Sequence, residues 1–190
     1  MRIDKLWGWL LFLSLLCLPQ SALAAWPFQA SEANGTPAVA DINGDGVLEV
    51  VFASSGGLYC TNAAGELLWL LDGDAAPDTY SSPTLADVDG DPTTLEVIVG
   101  GSTYGVGGNL NIVSCDGQLL AQYDVPTTVR SSPLVVDADL DGVKEIYFTR
   151  ITSASIEDGT GDYIYDAEPS FYALDVITGP SGISLVLRWA

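Results

Sequence analysis

Apolar and polar positions alternate along this chain in short runs, and no helical period is present beyond the first 25 residues. The run "VLEVVFAS" (47–54) leads through a turn into "GLYCTN" (57–62), and a second turn leads into "ELLWLL" (66–71). Period-two alternation places successive side chains on opposite faces of a strand. Runs of this kind joined by Gly, Asn or Asp predict antiparallel hairpins. A shorter apolar segment precedes them, so the pattern predicts four strands, near 36–41, 47–54, 57–62 and 66–71.

The same pattern recurs. "TPAVADINGDGVLEVVF" begins at Thr36, "SPTLADVDGDPTTLEVIV" at Ser82 and "SPLVVDADLDGVKEIYF" at Ser132. Each is followed by a predicted hairpin: "GGLYCTNAAGELLWLL", "GNLNIVSCDGQLLAQY" and "SFYALDVITGPSGISLVLRW". The leading aspartates, Asp41, Asp87 and Asp137, lie 46 and 50 residues apart, a period typical of propellers, solenoids and arrays. Four antiparallel strands per repeat make a β-propeller blade. The expected fold is therefore all-β, with three blades over about 36–81, 82–131 and 132–190. A closed propeller typically has 4–8 blades. The set is thus expected to be incomplete, finished by further blades of the same chain or by a second copy, and to expose an apolar blade face.

Between the first two strands of each repeat stands an acidic loop. Ca²⁺ takes six to eight hard oxygens, and alternating side chains before a Gly aim them at one centre. The expected ligands are Asp41, Asn43, Asp45 and Glu49 with the Val47 carbonyl in the first repeat. In the third they are Asp137, Asp139, Asp141 and Glu145 with the Val143 carbonyl. An EF-hand would carry its bidentate Glu at loop position 12 and continue as a helix. Here position 12 is Phe52, inside a β-rich run, and the acid stands at position 9. The expected site is a strand–loop–strand calcium site. The second loop keeps Asp87, Asp89 and Asp91, but Pro92 replaces the Gly and Glu96 comes one residue later. That loop either closes around the extra residue or binds weakly. Solvated turns would also favour Asp, Asn and Gly. Three copies in register favour an ion, because unneutralised carboxylates crowded together repel one another.

In these residues the chain resembles the FG-GAP/VCBS repeat family, whose propellers also occur in integrin α-subunits. A D-x-[DN]-x-D-G-x-x-E pattern is intact twice and altered once, each time after a Ser/Thr-Pro apolar strand, and the resemblance spans nearly all of 26–190. It implies propeller blades holding Ca²⁺ between their first two strands, and extracellular members that bind proteins or glycans.

Residues 1–24 change the picture of the N-terminus. Arg2 and Lys5 precede the apolar run 6–18, and Ala22 and Ala24 form an A-x-A site. This is the pattern of a cleaved secretory signal peptide, and the run is short for a membrane anchor. The expected location is secreted, periplasmic or cell-surface, with no direct membrane insertion after cleavage. Residues 25–190 fit one domain.

Charge and composition narrow the chemistry. The chain has 6 basic and 25 acidic residues, a net charge of −19, which repels nucleic acid and attracts cations. It contains no His, which removes His-based triads, imidazole bases and His metal ligands. Hydrolase motifs such as G-x-S-x-G are absent, and nothing positions Asp162 and Asp166 as a glycosidase pair. Cys60 and Cys115 fall at different places in the repeat and are expected as free thiols. Trp69, Tyr123 and Trp189 close the last strand of each unit and are expected to pack between blades, with a ligand-stacking row as the alternative. "WPFQAS" is a candidate outer strand. Residues 100–109 are expected as a Gly-rich loop, and 151–170 as a long acidic excursion or binding loop. No enzymatic activity is expected. The reading is an exported calcium-binding propeller module for adhesion or for a protein or glycan ligand. The alternatives are a non-catalytic propeller region of a longer extracellular enzyme, such as a polysaccharide-degrading one, and a purely structural surface protein.

Overall fold

The computed structural model describes residues 28–33, 35–73, 80–103, 107–150, 154–157, 163–165 and 171–190. The expected signal peptide over 1–24, Trp26, Asp162 and Asp166 lie outside these residues. Among the described residues, no helix is long and apolar enough to cross a membrane.

The chain is all-β, built on three four-stranded antiparallel sheets. Sheet 1 runs β1 (Ala38–Ala40), β2 (Glu49–Ser54), β3 (Gly57–Asn62), β4 (Leu67–Leu71) in sequence order. Sheet 2 repeats this meander with β5 (Thr84–Ala86), β6 (Glu96–Thr103), β7 (Gly107–Val113) and β8 (Leu119–Val125). Strands β9 (Leu134–Val136) and β10 (Glu145–Thr149) open sheet 3. A small hairpin, β11 (Ala154–Glu157) and β12 (Tyr163–Tyr165), intervenes before β13 (Phe171–Gly179) and β14 (Gly182–Trp189) complete it. The 151–170 excursion therefore contains a paired hairpin, Ala154 facing Tyr165. Among the described residues the sheets are blade-like and do not close a ring.

Alternation along β6 stacks the three sheets. Val97 and Val99 pack with Val113 against Ile42, Val51, Leu58 and Cys60 of sheet 1. Ile98 points the other way and joins Leu110 and Ile112 in a core with Ile146, Phe148, Tyr172 and Leu174 of sheet 3. Sheet 2 is thus apolar on both faces. Among the described residues, sheets 1 and 3 each leave one face without a second sheet against it. On sheet 1, Val39, Val50, Phe52, Tyr59 and Leu70 share the face away from sheet 2, and Phe28 sets its ring edge-on to Phe52 at 5.8 Å. On sheet 3, exposed Leu134, Phe171 and Trp189 surround Tyr147.

The innermost strands β1, β5 and β9 lie side by side, and the Ser/Thr-Pro segments before them are linked by hydroxyls. The Thr36 N–H donates to Ser82 Oγ (2.7 Å). Ser81 Oγ donates to the Ser131 carbonyl (3.1 Å) and accepts the Gly100 N–H (2.8 Å). Thr84 Oγ1 donates to the Pro133 carbonyl at 2.5 Å. Proline supplies no N–H, and these hydroxyls supply polar contacts between the Ser/Thr-Pro segments.

Within the expected loop 100–109, residues 100–103 and 107–109 are strand. Gly100–Thr103 extend β6, Gly107–Asn109 begin β7, and Gly101 pairs with Asn109. Here glycine answers a close approach. The 127–129 segment crosses these strands, and a Cβ at Gly108 would stand 2.2 Å from the Thr127 carbonyl oxygen.

Leu110 is fully buried in the core between sheets 2 and 3, whereas Leu134 is 59% exposed. In urea unfolding, Leu110→Ala should lose about 2–5 kcal/mol, and Leu134→Ala should stay within about 0.5 kcal/mol of the parent. Equal losses would contradict this stacking.

Candidate metal centres

Each acidic loop joins the first and second strands of its sheet, and each begins as an Asx-type turn. In loop 1 the Gly44 and Asp45 N–H groups donate to Asp41 Oδ1 (2.8 and 3.1 Å), and the Gly46 N–H to Asp41 Oδ2 (2.8 Å). Loop 3 repeats this pattern, with the Asp141 and Gly142 N–H groups on Asp137 (3.1 and 3.0 Å). The Val47 and Val143 N–H groups donate to Asp45 and Asp141 Oδ1 (2.7 and 2.8 Å). The fourth loop position needs positive φ. Gly44 (φ 75°) and Gly90 (φ 90°) supply it, and Leu140 adopts it at φ 63° in loop 3, a region unfavourable to residues with a Cβ.

The glutamates lie at the first residue of the second strand and are buried. Glu49 is paired with Ala40, Glu96 with Ala86 and Glu145 with Val136. They are 2%, 2% and 0% exposed. In each case Oε2 accepts the backbone N–H of the residue after the leading Asp: Ile42 (3.0 Å), Val88 (2.8 Å) and Ala138 (2.8 Å). One carboxylate oxygen of each glutamate therefore closes its loop. Burial raises the Glu49 and Glu96 carboxyls above the ordinary carboxylate range, and neighbouring loop aspartates push the same way, while the backbone N–H opposes.

The loops differ in what they bring together. Asp137, Asp139, Asp141 and Glu145 each place an oxygen within 4.8 Å of the others, as do Asp87, Asp89 and Glu96. Asp91 turns away, its Oδ1 accepting the Thr93 N–H (3.0 Å) and Oγ1–H (2.7 Å). These bonds hold its carboxyl below the usual range. In loop 1 the amide of Asn43 replaces one carboxylate, its Nδ2 donating to Asp45 Oδ2 at 3.3 Å. Among the described residues, Asp41, Asp45 and Glu49 do not form a comparable cluster. The extra residue in loop 2 is thus accommodated, because Glu96 still heads its strand and reaches the Val88 N–H.

Two basic side chains approach the acids. Lys144 Nζ donates to the Asp87 carbonyl and lies 3.8 Å from Asp87 Oδ2, linking loops 2 and 3. Arg188 of β14 donates through Nη1 to Asp139 Oδ2 (2.6 Å) and through Nε to Asp175 Oδ1 (2.5 Å). Its Nη2 lies 3.1 Å from Glu145 Oε1, an ion-pair contact without hydrogen-bond geometry. Glu145 Oε1 is buried and has no hydrogen bond. Hard oxygen donors converging on a buried oxygen with unspent lone pairs fit Ca²⁺ chemistry.

The aromatic positions separate. The Trp69 indole N–H donates to the Cys115 carbonyl of sheet 2 (2.8 Å), and its ring abuts Gly117, where an added Cβ would meet it at 2.8 Å. This is packing between blades. Tyr123 packs against the core between sheets 2 and 3. Trp189 instead joins Tyr147 and Phe171 on the open face. Cys60 and Cys115 are free thiols in the core between sheets 1 and 2, and burial pushes Cys60 up to about 12. The basic partners escaped sequence reasoning, since Arg188 lies 49 residues from Asp139 and no local motif joins them.

No protein-family model matches the chain, and a search of curated proteins finds no match.

Glu96→Gln separates the two oxygens' roles. The amide oxygen still accepts the Val88 N–H, and the burial penalty on the charge disappears. In chelator the variant should melt at or above the parent's temperature, and calcium should raise its melting temperature less than the parent's. A variant that melts lower in chelator and keeps the full calcium response would refute this assignment.

Proposed function

We propose that this chain is a calcium-stabilised β-propeller segment of FG-GAP/VCBS type, exported through its N-terminal leader, which acts as an adhesion or ligand-binding module rather than an enzyme. One observation carries the reading. The same acidic loop recurs between the first and second strands of three stacked four-stranded sheets, and in loops 2 and 3 its carboxylates converge beside a buried glutamate. Calcium neutralises that convergence and ties the loop to the strand it precedes. The ligand is a protein or a glycan, and the acidic surface disfavours nucleic acid.

The open faces support a place in a larger wheel. Register makes Tyr147, Phe171, Ala173 and Trp189 of sheet 3 the counterparts of Val51, Leu58, Cys60 and Trp69 of sheet 1. In sheet 1 those residues pack against the next blade, so the sheet 3 face is shaped for a further blade, from the same chain or a second copy.

At millimolar calcium, extracellular-type sites contribute about 0.4–1.4 kcal/mol each. Two sites should raise the melting temperature by about 2–10 °C over the chelator value. The shift should be saturable, and it should vanish in a variant carrying Asp87→Ala and Asp137→Ala. Glycan- and protein-array binding without substrate turnover would support the module's role. A melting temperature indifferent to calcium would overturn the reading.

A further inference from the structure

Among the described residues, the third acidic loop holds a guanidinium against three of its clustered acids, and strand register shows how it gets there. Each outer hairpin has a bulge at the same place. Cys60 pairs with Trp69 and Thr61 with Leu67, leaving Leu68 over. Ile112 pairs with Ala121 and Val113 with Leu119, leaving Leu120. Ala173 pairs with Trp189 and Leu174 with Leu187, leaving Arg188. A bulge re-aims the extra side chain. In sheets 1 and 2 that side chain is an exposed leucine. In sheet 3 it is a guanidinium delivered into the loop.

Its contacts converge where a cation would sit. The fork donates to Asp139 and Asp175, lies 3.8 Å from Asp141 Oδ2 and 3.1 Å from Glu145 Oε1. Asp139, Asp141 and Glu145 are three of the four acids whose oxygens cluster within 4.8 Å. The buried Glu145 oxygen keeps lone pairs that the guanidinium approaches without hydrogen bonding, so the fork neutralises the site but does not saturate it. A guanidinium is an always-charged planar donor with preferred carboxylate geometry. It cannot share these oxygens with a divalent ion at bonding distance, because the two cations repel. At loop 2, Lys144 contacts only the rim, at Asp87.

We propose that Arg188 is the resident counter-ion of the third loop, and that a divalent cation binds there only by displacing it. Displacement releases the Asp139 and Asp175 contacts that tie β14 to the loop. Loop 3 then couples ion binding to the edge strand beside the open face, and loop 2 takes the ion first. The inference rests on the calcium reading above.

The test uses the full chain carrying Asp41→Ala and Asp87→Ala, which leaves loop 3 as the remaining acidic loop, and compares Arg188 with Arg188→Gln and Arg188→Lys. Calcium is titrated calorimetrically, and melting is followed in chelator and in saturating calcium. Arg188→Gln should bind calcium at least tenfold more tightly than its parent, with Arg188→Lys between the two. Arg188→Gln should also lower the melting temperature in chelator and recover most of that loss in calcium. Should Arg188→Gln fail to fold in chelator, Arg188→Lys carries both comparisons. Unchanged affinity, or equal destabilisation in chelator and calcium, overturns the competition. If loop 2 binds calcium in an Asp41→Ala, Asp139→Ala chain while Arg188 variants show no gain, the inference fails and the calcium reading survives. No calcium binding at either loop in any variant sinks both.

Discussion

Three buried glutamates hold this structure's repeating unit in shape. Glu49, Glu96 and Glu145 head the second strand of their sheets, and each gives one oxygen to a backbone N–H on the far side of an acidic loop. A buried carboxylate is tolerated only when it is hydrogen-bonded or neutralised. The backbone bond meets half of that need and fixes the loop's closure. At Glu145 the other oxygen is buried without a hydrogen bond and faces the Arg188 guanidinium, beside the clustered loop aspartates. The second loop shows that the clamp outranks loop length. An extra residue and a proline leave Glu96 at the strand head and still on the Val88 N–H, and it is Asp91 that turns aside.

Stacking follows from the period of two. Because sheet 2 carries Ile98 on one face and Val97 and Val99 on the other, it buries both, and the end sheets bury one each. Each blade therefore presents a face for its successor. The hydroxyl links among Ser81, Thr84 and their neighbours join the innermost strands, and Trp69 joins the outer hairpins through Cys115. A further sheet on the open face of sheet 3 would extend both.

Much of this was legible in the amino-acid sequence. The strands expected near 47–54 and 57–62 lie at 49–54 and 57–62, because β-branched alternation between Gly and Asp turns allows little else. The acidic loops were legible because their residues are contiguous. What failed did so where tertiary contact overrides local propensity. Gly100, Gly101, Gly107 and Gly108 suggested a loop, but they are strand residues, and Gly100 and Gly108 are pressed against the 127–129 segment. The 151–170 excursion contains a hairpin that its polar composition concealed. Asn109 and Asn111 are buried and hydrogen-bonded to each other, and exposed Gln122 donates to Asn111, whereas sequence polarity places both asparagines at the surface. Arg188 reaches loop 3 through a bulge, and a bulge shifts facing by one residue without any local sequence mark. Trp189 matches Trp69 by register, while the counterpart in sheet 2 is Ala121 and not Tyr123.

The glutamate clamp is open to direct observation by native-state hydrogen exchange on the calcium-free chain, read at the Ile42, Val88 and Ala138 amides. Each should exchange far more slowly than an exposed loop amide, and each should lose that protection when its own glutamate becomes alanine. Rapid exchange in the parent, or protection that survives the alanine substitution, would contradict the account.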